Sequence, residues 1–256
     1  MIRFAAAFCA AMFFAGTAHA ETPFERGRYL VSAVLNCGNC HTPKGPDAGK
    51  LLSGGMRFDL PAYNVVASNL TSDRETGLGR WSDADIKKAL IEGVRPTGVK
   101  LASVMPSAFY GILSKDDLNA VVAYLKSVPP VSNKVDAPVY RVNQKHDVFP
   151  GADKAFTRKD MRTKAQRGFY LATIAHCMEC HTPAEKGEGL FTTQLGKGGR
   201  EVKGPWGVSK AANVTSSTTA GIGAWTDAEI KRAIAQGISR DGVRSKARWA
   251  SPLTQR

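Results

Sequence analysis

Cysteine is scarce in this 256-residue chain, with five in all, too few for the dense cross-linked frameworks of small exported scaffolds. Long apolar runs are missing after residue 20, so nothing in the body of the chain reads as a membrane-crossing helix and a soluble protein is expected. Strand-like alternation is scarce as well, which argues against a sheet-built domain and for an all-α fold. Acidic residues are outnumbered, 22 against 35 lysines and arginines, for a formal charge of +13. The excess is uneven: residues 157–256 carry +9 and residues 21–130 only +2. A docking site for an acidic protein face or an anionic membrane complex suits that charge, with plain solubility as the alternative.

The first twenty residues read as a leader. Arg3 supplies a positive start, residues 4–15 an apolar run, and Thr17-Ala-His-Ala20 the small residues a leader peptidase reads. Cleavage is expected before Glu21, which assigns residues 1–20 to a signal peptide and the rest to the periplasm. Cys9 leaves with the leader. The four remaining cysteines all fall in two runs, Cys37-Gly-Asn-Cys-His41 and Cys177-Met-Glu-Cys-His181.

Cys-x-x-Cys-His is the pattern of covalent c-type haem attachment. Cys37 and Cys40, and again Cys177 and Cys180, put two thiols one helical turn apart, where both can add to the vinyl groups on one edge of a haem. His41 and His181 follow directly and are placed to ligate iron. Structural disulfides explain the cysteine count but not the adjacent histidines. Zinc would need four ligands gathered together, and each run supplies three. A thioredoxin-like redox pair would need a βαβ context that neither run has. Two covalently attached haem c groups are therefore expected, and nucleic acid is not an expected partner.

An internal repeat surrounds the two runs. Arg26-Gly-Arg-Tyr-Leu30 matches Arg167-Gly-Phe-Tyr-Leu171, and Asn69-Leu-Thr71 matches Asn213-Val-Thr215. Gly77-Leu-Gly-Arg-Trp-Ser-Asp-Ala-Asp-Ile86 matches Gly221-Ile-Gly-Ala-Trp-Thr-Asp-Ala-Glu-Ile230. The offset is 140 at the cysteines and 144 from Asn69 onward, so the loop between gains four residues in the second copy. The repeat divides the chain into a first domain over residues 21–130, a polar linker over 131–160 and a second domain over 161–256.

Helical periodicity is expected from Phe24 to Cys37, with Leu30, Val31, Val34 and Leu35 on the inner face. Ser82 caps a helix carrying Ile86, Ala89, Leu90 and Ile91 inward, and Thr226-Asp-Ala-Glu229 is a capping box for its counterpart. Gly93 and Gly237 mark the ends of these helices. Ser114 caps a further amphipathic helix with Leu118, Val121, Val122 and Leu125 on one side, stopped by Pro129-Pro130. The stretch between His41 and Arg80 reads as a long loop rich in Gly and Pro.

Taken together, Gly–aromatic–Leu, Cys-x-x-Cys-His-Thr-Pro, Asn-Leu-Thr, Gly-x-Gly-x-Trp-Ser-Asp and Met105-Pro106 resemble the tandem class I c-type cytochromes. Their dihaem and trihaem members serve as cytochrome subunits of periplasmic alcohol, aldehyde and sugar-acid dehydrogenases. The resemblance spans residues 24–130 and about 165–244. It implies an electron carrier, not a catalyst, with a dehydrogenase as donor and an oxidase or another cytochrome as acceptor. It also implies Met105 as the distal ligand of the first iron, with Met56 as the rival. It places the carbonyl that accepts the His41 ring proton near Thr42-Pro43. Asn69, Thr71 and Trp81 are propionate partners in this family, with ordinary loop and core roles as the alternative. A Met/His pair raises the potential of its iron and closes it to substrate.

The second copy departs after Gly242. No Met follows Met178 and no His follows His181, so the second haem has no evident sixth ligand. The counterpart of the helix capped by Ser114 is also missing, and the second domain is read as incomplete at its C-terminal end. A changed C-terminus, a five-coordinate or Lys- or water-bound iron, and completion by a partner subunit are the three accounts. An open second iron raises a rival function, a haem enzyme of the peroxidase type, for which no downstream histidine offers a distal acid or base.

Overall fold

The computed structural model describes residues 21–145, 148–185, 187–204 and 207–245. The expected leader over residues 1–20, His146 and the residues after 245 lie outside that range. In chain order the first half comprises α1 (Pro23–Tyr29), α2 (Gly38–His41), β1 (Arg57–Leu60), β2 (Tyr63–Val66), α3 (Asp83–Glu92) and α4 (Lys115–Ser127). A short strand β3 (Val139–Tyr140) follows, then α5 (Lys164–Ile174), α6 (Cys177–His181), β4 (Ala184–Glu185), β5 (Glu188–Gly189), β6 (Glu201–Gly204), β7 (Gly207–Lys210) and α7 (Asp227–Gln236). No helix of the described residues is long and apolar enough to cross a membrane.

The first half is organised around the crossing of α1 and α4. Gly27 sits at the crossing: a Cβ there would lie 2.0 Å from the Ala120 carbonyl oxygen of α4. No side chain fits, so the two backbones meet at glycine and the flanking apolar residues close round it. Leu30, Val31, Ala120, Val121, Val122 and Leu125 are all buried there. An ion pair pins the same crossing. The Arg26 guanidinium donates to both carboxylate oxygens of Asp117, at 2.8 and 2.9 Å. Asp117 is itself in the first turn of α4, whose N-cap Ser114 accepts from the Asp117 N–H. Burial of Leu30, Val31, Val121 and Leu125 stabilises this layer by about 1.5–3 kcal/mol each.

Behind Tyr29 the helix widens into one π-turn over Leu30–Val34. The repeat explains it. The offset is 141 at Arg26 and Arg167 but 140 at the cysteines, so the first copy holds one extra residue in this stretch. A single insertion inside a helix is accommodated as a π-bulge. The second copy lacks the insertion, and α5 is regular through to Ile174.

The capping expectations hold. Ser82 with Asp85 and Thr226 with Glu229 form reciprocal capping boxes, and Gly93 and Gly237 close the helices at φ 63° and 66°. The all-α expectation needs correction. β1 and β2 form a hairpin that β3 extends to three strands, while β4–β5 and β6–β7 are two further hairpins. Strands of two to four residues are too short to print an alternation, and the surrounding Gly and Pro read as loop.

The stretch 131–160 is bound more closely than a free linker. β3 pairs with β2 through Tyr63 and Tyr140. Asn133 donates to the Ser53 carbonyl at 2.8 Å. Phe149 and Ala152 are buried, and Gly111 lies against the Ala152 carbonyl so closely that a Cβ would come within 2.3 Å. Phe149 stacks on Phe109, and Phe191 meets both edge-on at 5.2 and 5.7 Å. Tyr170 of α5 completes the join: its hydroxyl donates to Asp117 at 2.6 Å and accepts the Ser114 N–H at 3.2 Å. Burial first, and the Asp117 carboxylate second, push the Tyr170 phenol well above its ordinary range.

The second half repeats the first in backbone detail. Gly54 and Gly198 donate to the carbonyls of His41 and His181 at 2.7 and 2.8 Å. Thr42 and Thr182 hydroxyls accept from Leu52 and Gly196. Gly77 and Gly221 lie where a Cβ would come within 2.4 and 2.3 Å of the carbonyl oxygens of Thr71 and Thr215. Gly168 differs from its counterpart Gly27: among the described residues no atom lies within 4 Å of its would-be Cβ.

Chemical denaturation of three variants tests these contacts. Gly27→Ala forces the α1–α4 crossing apart and costs about 1–3 kcal/mol, whereas Gly168→Ala meets no obstacle and is neutral or stabilising by roughly 0.5–1 kcal/mol. Tyr170→Phe removes a hydrogen bond to a buried carboxylate and costs about 1.5–3 kcal/mol; a loss near zero would show that this bond does not join the halves.

Candidate functional site

Each Cys-x-x-Cys-His run forms its own single turn of helix, α2 and α6, and is set off from the longer helix before it by one left-handed residue. Asn36 has φ 51° and His176 has φ 42°. These are costly backbone positions for ordinary residues, and Asn is among the side chains that tolerate them best. The break lets the run leave the helix axis and face inward. Within the turn the His41 N–H donates to the Cys37 carbonyl at 2.9 Å, so both thiols and the imidazole project from one short helical segment.

The imidazoles are held in matching ways. His41 Nδ1 lies 2.7 Å from the Ser68 carbonyl oxygen, and His181 Nδ1 lies 2.7 Å from the Ala212 carbonyl oxygen. A carbonyl only accepts, so Nδ1 carries the proton in both rings. In His41 this leaves the lone pair on Nε2, the arrangement in which an imidazole ligates a metal and in which the carbonyl raises its basicity. Burial, with a smaller contribution from the Arg95 charge, holds the His41 ring below the usual imidazole range, and the Ser68 bond works against that shift. The accepting carbonyl is thus Ser68, 27 residues along the chain, and not the Thr42-Pro43 segment. Thr42 is instead buried with its hydroxyl bound to the Leu52 N–H at 3.1 Å.

All four thiols are unpaired. Burial raises the Cys37 thiol to about 12 and raises Cys40, Cys177 and Cys180 above their ordinary value. The Glu179 carboxylate adds to the upward shift of both Cys40 and Cys180. Tyr110, fully enclosed, is raised well above its ordinary value by burial first, then by Cys37, Glu179 and Cys40. His176 pairs with Glu179 at 3.0 Å and its ring stands 6.4 Å from Phe109.

Among the described residues no group of three or more His, Cys, Asp and Glu side chains converges as a metal-ion site. The donor set fits a flat, covalently anchored cofactor better than a chelated ion. Arg95 supplies an independent sign of such a group. Its Nε is buried without a hydrogen-bond partner while a terminal nitrogen donates to Ser68 Oγ at 2.9 Å. A buried guanidinium N–H without an acceptor is costly, and the carboxylate of a haem propionate is an acceptor that relieves it. Arg232 has a buried, unpartnered Nε in the second half.

Met105 is partly buried and packs on the core that contains Leu30, Leu35 and Phe109. Met56 is 38% exposed, and its N–H donates to the Cys40 carbonyl at 3.3 Å. The burial favours Met105 of the two. Asn69 and Thr71 serve the loop. Asn69 Oδ1 accepts from the Thr71 N–H and hydroxyl at 2.9 and 2.7 Å, and Nδ2 donates to Thr76 Oγ1 and the Val131 carbonyl. Asn213 and Thr215 repeat the first two bonds. Sequence reasoning missed Ser68, Ala212, Arg95 and Glu179. The repeat did flag the right loop, since Ser68 and Ala212 each immediately precede the Asn-Leu-Thr or Asn-Val-Thr triplet. Arg95 has Ser239 at the matching place, so no repeat signal marked it.

Comparison with known proteins agrees with this site. Residues 24–129 match the cytochrome c family. The chain is 36% identical to a nicotinate dehydrogenase component of Pseudomonas putida over 64% of its own length and 15% of that protein's. It is 28% identical to the fructose dehydrogenase cytochrome subunit of Gluconobacter japonicus, over 90% of this chain and 47% of that one. A diheme cytochrome c-type protein of Cereibacter sphaeroides is 30% identical over 57% of this chain and 53% of its own. The chain thus spans about half the length of these relatives, or less. Residues 24–129 thus carry a cytochrome c domain, in which haem is covalently bound, and the relatives support a c-type cytochrome of the dehydrogenase-associated kind.

Proposed function

We propose that this chain is a periplasmic dihaem electron carrier of two tandem cytochrome c-like domains, which takes single electrons from a dehydrogenase and passes them toward the respiratory chain. One observation carries the reading: both Cys-x-x-Cys-His helices present a histidine whose Nδ1 is tied to a carbonyl 2.7 Å away, at equivalent places in the repeat. A haem bound at such a site supplies a one-electron iron couple. The chain's own residues set the rest. Cys37 and Cys40, and Cys177 and Cys180, hold the group by thioethers, and His41 and His181 ligate through Nε2. Met105 offers a soft sulfur to the first iron and closes that position to substrate. Arg95 places a positive charge beside His41 and favours the reduced state there.

The ring of His176, which adjoins the second motif, stands 6.4 Å from Phe109 of the first half, which supports direct passage of electrons between the two sites. The relatives named as dehydrogenase subunits support a dehydrogenase as the donor. The leader over residues 1–20 supports export, and the basic second half supports docking on an acidic face of a partner complex.

Intact mass of protein matured in a periplasm tests the haem count. Two haems are expected, one after Cys37→Ala with Cys40→Ala, and none of the bare polypeptide. Met105→Ala is expected to lower the potential of the first haem and open its iron to external ligands, read by redox titration and cyanide binding; an unmoved potential removes Met105 from the ligand set. Arg95→Leu should lower the same potential by roughly tens of millivolts, because a buried positive charge nearby favours the reduced iron.

A further inference from the structure

The structure assigns Leu52 and Met178 one shared role. Each is the apolar plug that seats a Cys-x-x-Cys-His turn on the loop carrying its histidine's carbonyl acceptor, and each is thereby a positioning residue for that histidine. The plug comes from the loop in the first half and from the motif itself in the second. The role rests on the reading of His41 and His181 as haem ligands and names the side chains that keep them oriented.

Leu52 stands where a leucine is least expected. Its backbone is left-handed at φ 59°, a costly conformation for a bulky residue, and its side chain is buried. Its counterpart in the repeat is Gly196 at φ 74°, which adopts the same conformation at little cost. The backbone bonds around the two match one for one. Leu52 donates to Thr42 Oγ1 at 3.1 Å, and Gly196 to Thr182 Oγ1 at 3.2 Å. Their carbonyls accept from the N–H groups of Leu70 and Val214, both at 2.8 Å. The turn thus forms with glycine, and the strain at Leu52 is accepted for the sake of its side chain.

That side chain reaches the motif. Its Cδ2 lies 4.0 Å from the point where a Cβ on Gly38 would stand. In the second half the arrangement is inverted. Met178 takes the place of Gly38, and its sulfur lies 3.8 Å from the point where a Cβ on Gly196 would stand. Each half therefore has one large apolar side chain and one glycine on the same contact, in opposite order. Leu52 belongs to the buried core, and Met178 packs against the same core. Leucine and methionine are close in volume, so the inversion conserves the space filled.

The place of the contact gives it a function. Thr42 and Thr182 directly follow the two histidines, and Leu70 and Val214 lie two residues after the Ser68 and Ala212 carbonyls that hold them. The segment bearing Leu52 or Gly196 is bonded on one side to the histidine's turn and on the other to its acceptor loop. An apolar side chain in that seam fixes the spacing between the two. It also keeps water from competing for the Nδ1–carbonyl bond, which sets the orientation and basicity of the ring.

The test is a swap cycle in each half of the full chain. It is read in the reduced protein by NMR exchange of the imidazole Nδ1 protons, which reports on the bond with or without haem. Leu52→Gly suits its backbone and should speed exchange at His41 by at least about tenfold, with His181 and the α4 amides unchanged. Adding Gly38→Met gives the first half the plug of the second and should return His41 to within about twofold of the parent. Met178→Gly should act on His181 alone, and Gly196→Leu should rescue it. In the haem-loaded protein each plug deletion should move the potential of its own haem, and each rescue should restore it. Exchange at His41 that ignores Leu52→Gly, a double variant no better than the single, or equal acceleration over α4 would overturn the assignment. A bare polypeptide by intact mass, with the swap cycle still in force, would instead overturn the haem reading and leave the seating of the histidines standing.

Discussion

The crossing of α1 on α4 is the constraint on which the rest of the first half depends. Two helix backbones approach at Gly27 and Ala120 more closely than any side chain permits, and the Arg26–Asp117 pair sets the angle and register at which they do so. The close approach aligns the apolar faces on either side and so places the helix end that leads into Cys37. The same carboxylate receives Tyr170 from the second half. One buried acid thereby connects the first helix, the closing helix of the first half and the helix that leads into the second motif. Removing one partner from such a group exposes the others to the cost of an unpaired charge.

That arrangement explains how two similar halves come to differ. In the first, α4 buries the inner faces of α1 and α3 and a strap over residues 131–160 is tied down by Asn133, Phe149 and Ala152. In the second, α5 is anchored on the opposite side, through Tyr170 and Phe156, which stack at 5.9 Å, while among the described residues nothing meets Gly168. Among the described residues the second half is held by its attachment to the first. Its motif keeps the same histidine–carbonyl bond, because that bond depends on the loop before Asn213.

Much of the local structure was legible in the residues. The cap at Ser82 and the capping box at Thr226 were readable because their chemistry is confined to four consecutive residues, and Gly93 and Gly237 because only a left-handed position needed explaining. The small hairpins were not, since strands of two to four residues carry too little alternation to separate from loop. The π-turn was hidden for a different reason: it is visible only as a one-residue change in repeat offset, 141 at Arg26 against 140 at Cys37, and has no composition of its own. Asn69 and Thr71 show the reverse case. Their repeat marked an important loop, but the side chains serve the loop's own hydrogen bonds, and the functional atom is the backbone carbonyl one residue earlier.

By itself the sequence marked the candidate attachment residues, because thiol, thiol and imidazole lie within five consecutive residues and need only one helical turn to act together. It also determined the repeat. Tertiary structure alone decided which carbonyl holds each imidazole, since Ser68 and His41 are 27 residues apart and meet only when the loop closes over the motif. It alone showed that Arg95 has a buried donor without an acceptor, that residues 131–160 form a strap, and that among the described residues nothing meets Gly168 where Gly27 faces a backbone. Each of these is a relation between distant segments, set by packing geometry that no local pattern of residues encodes.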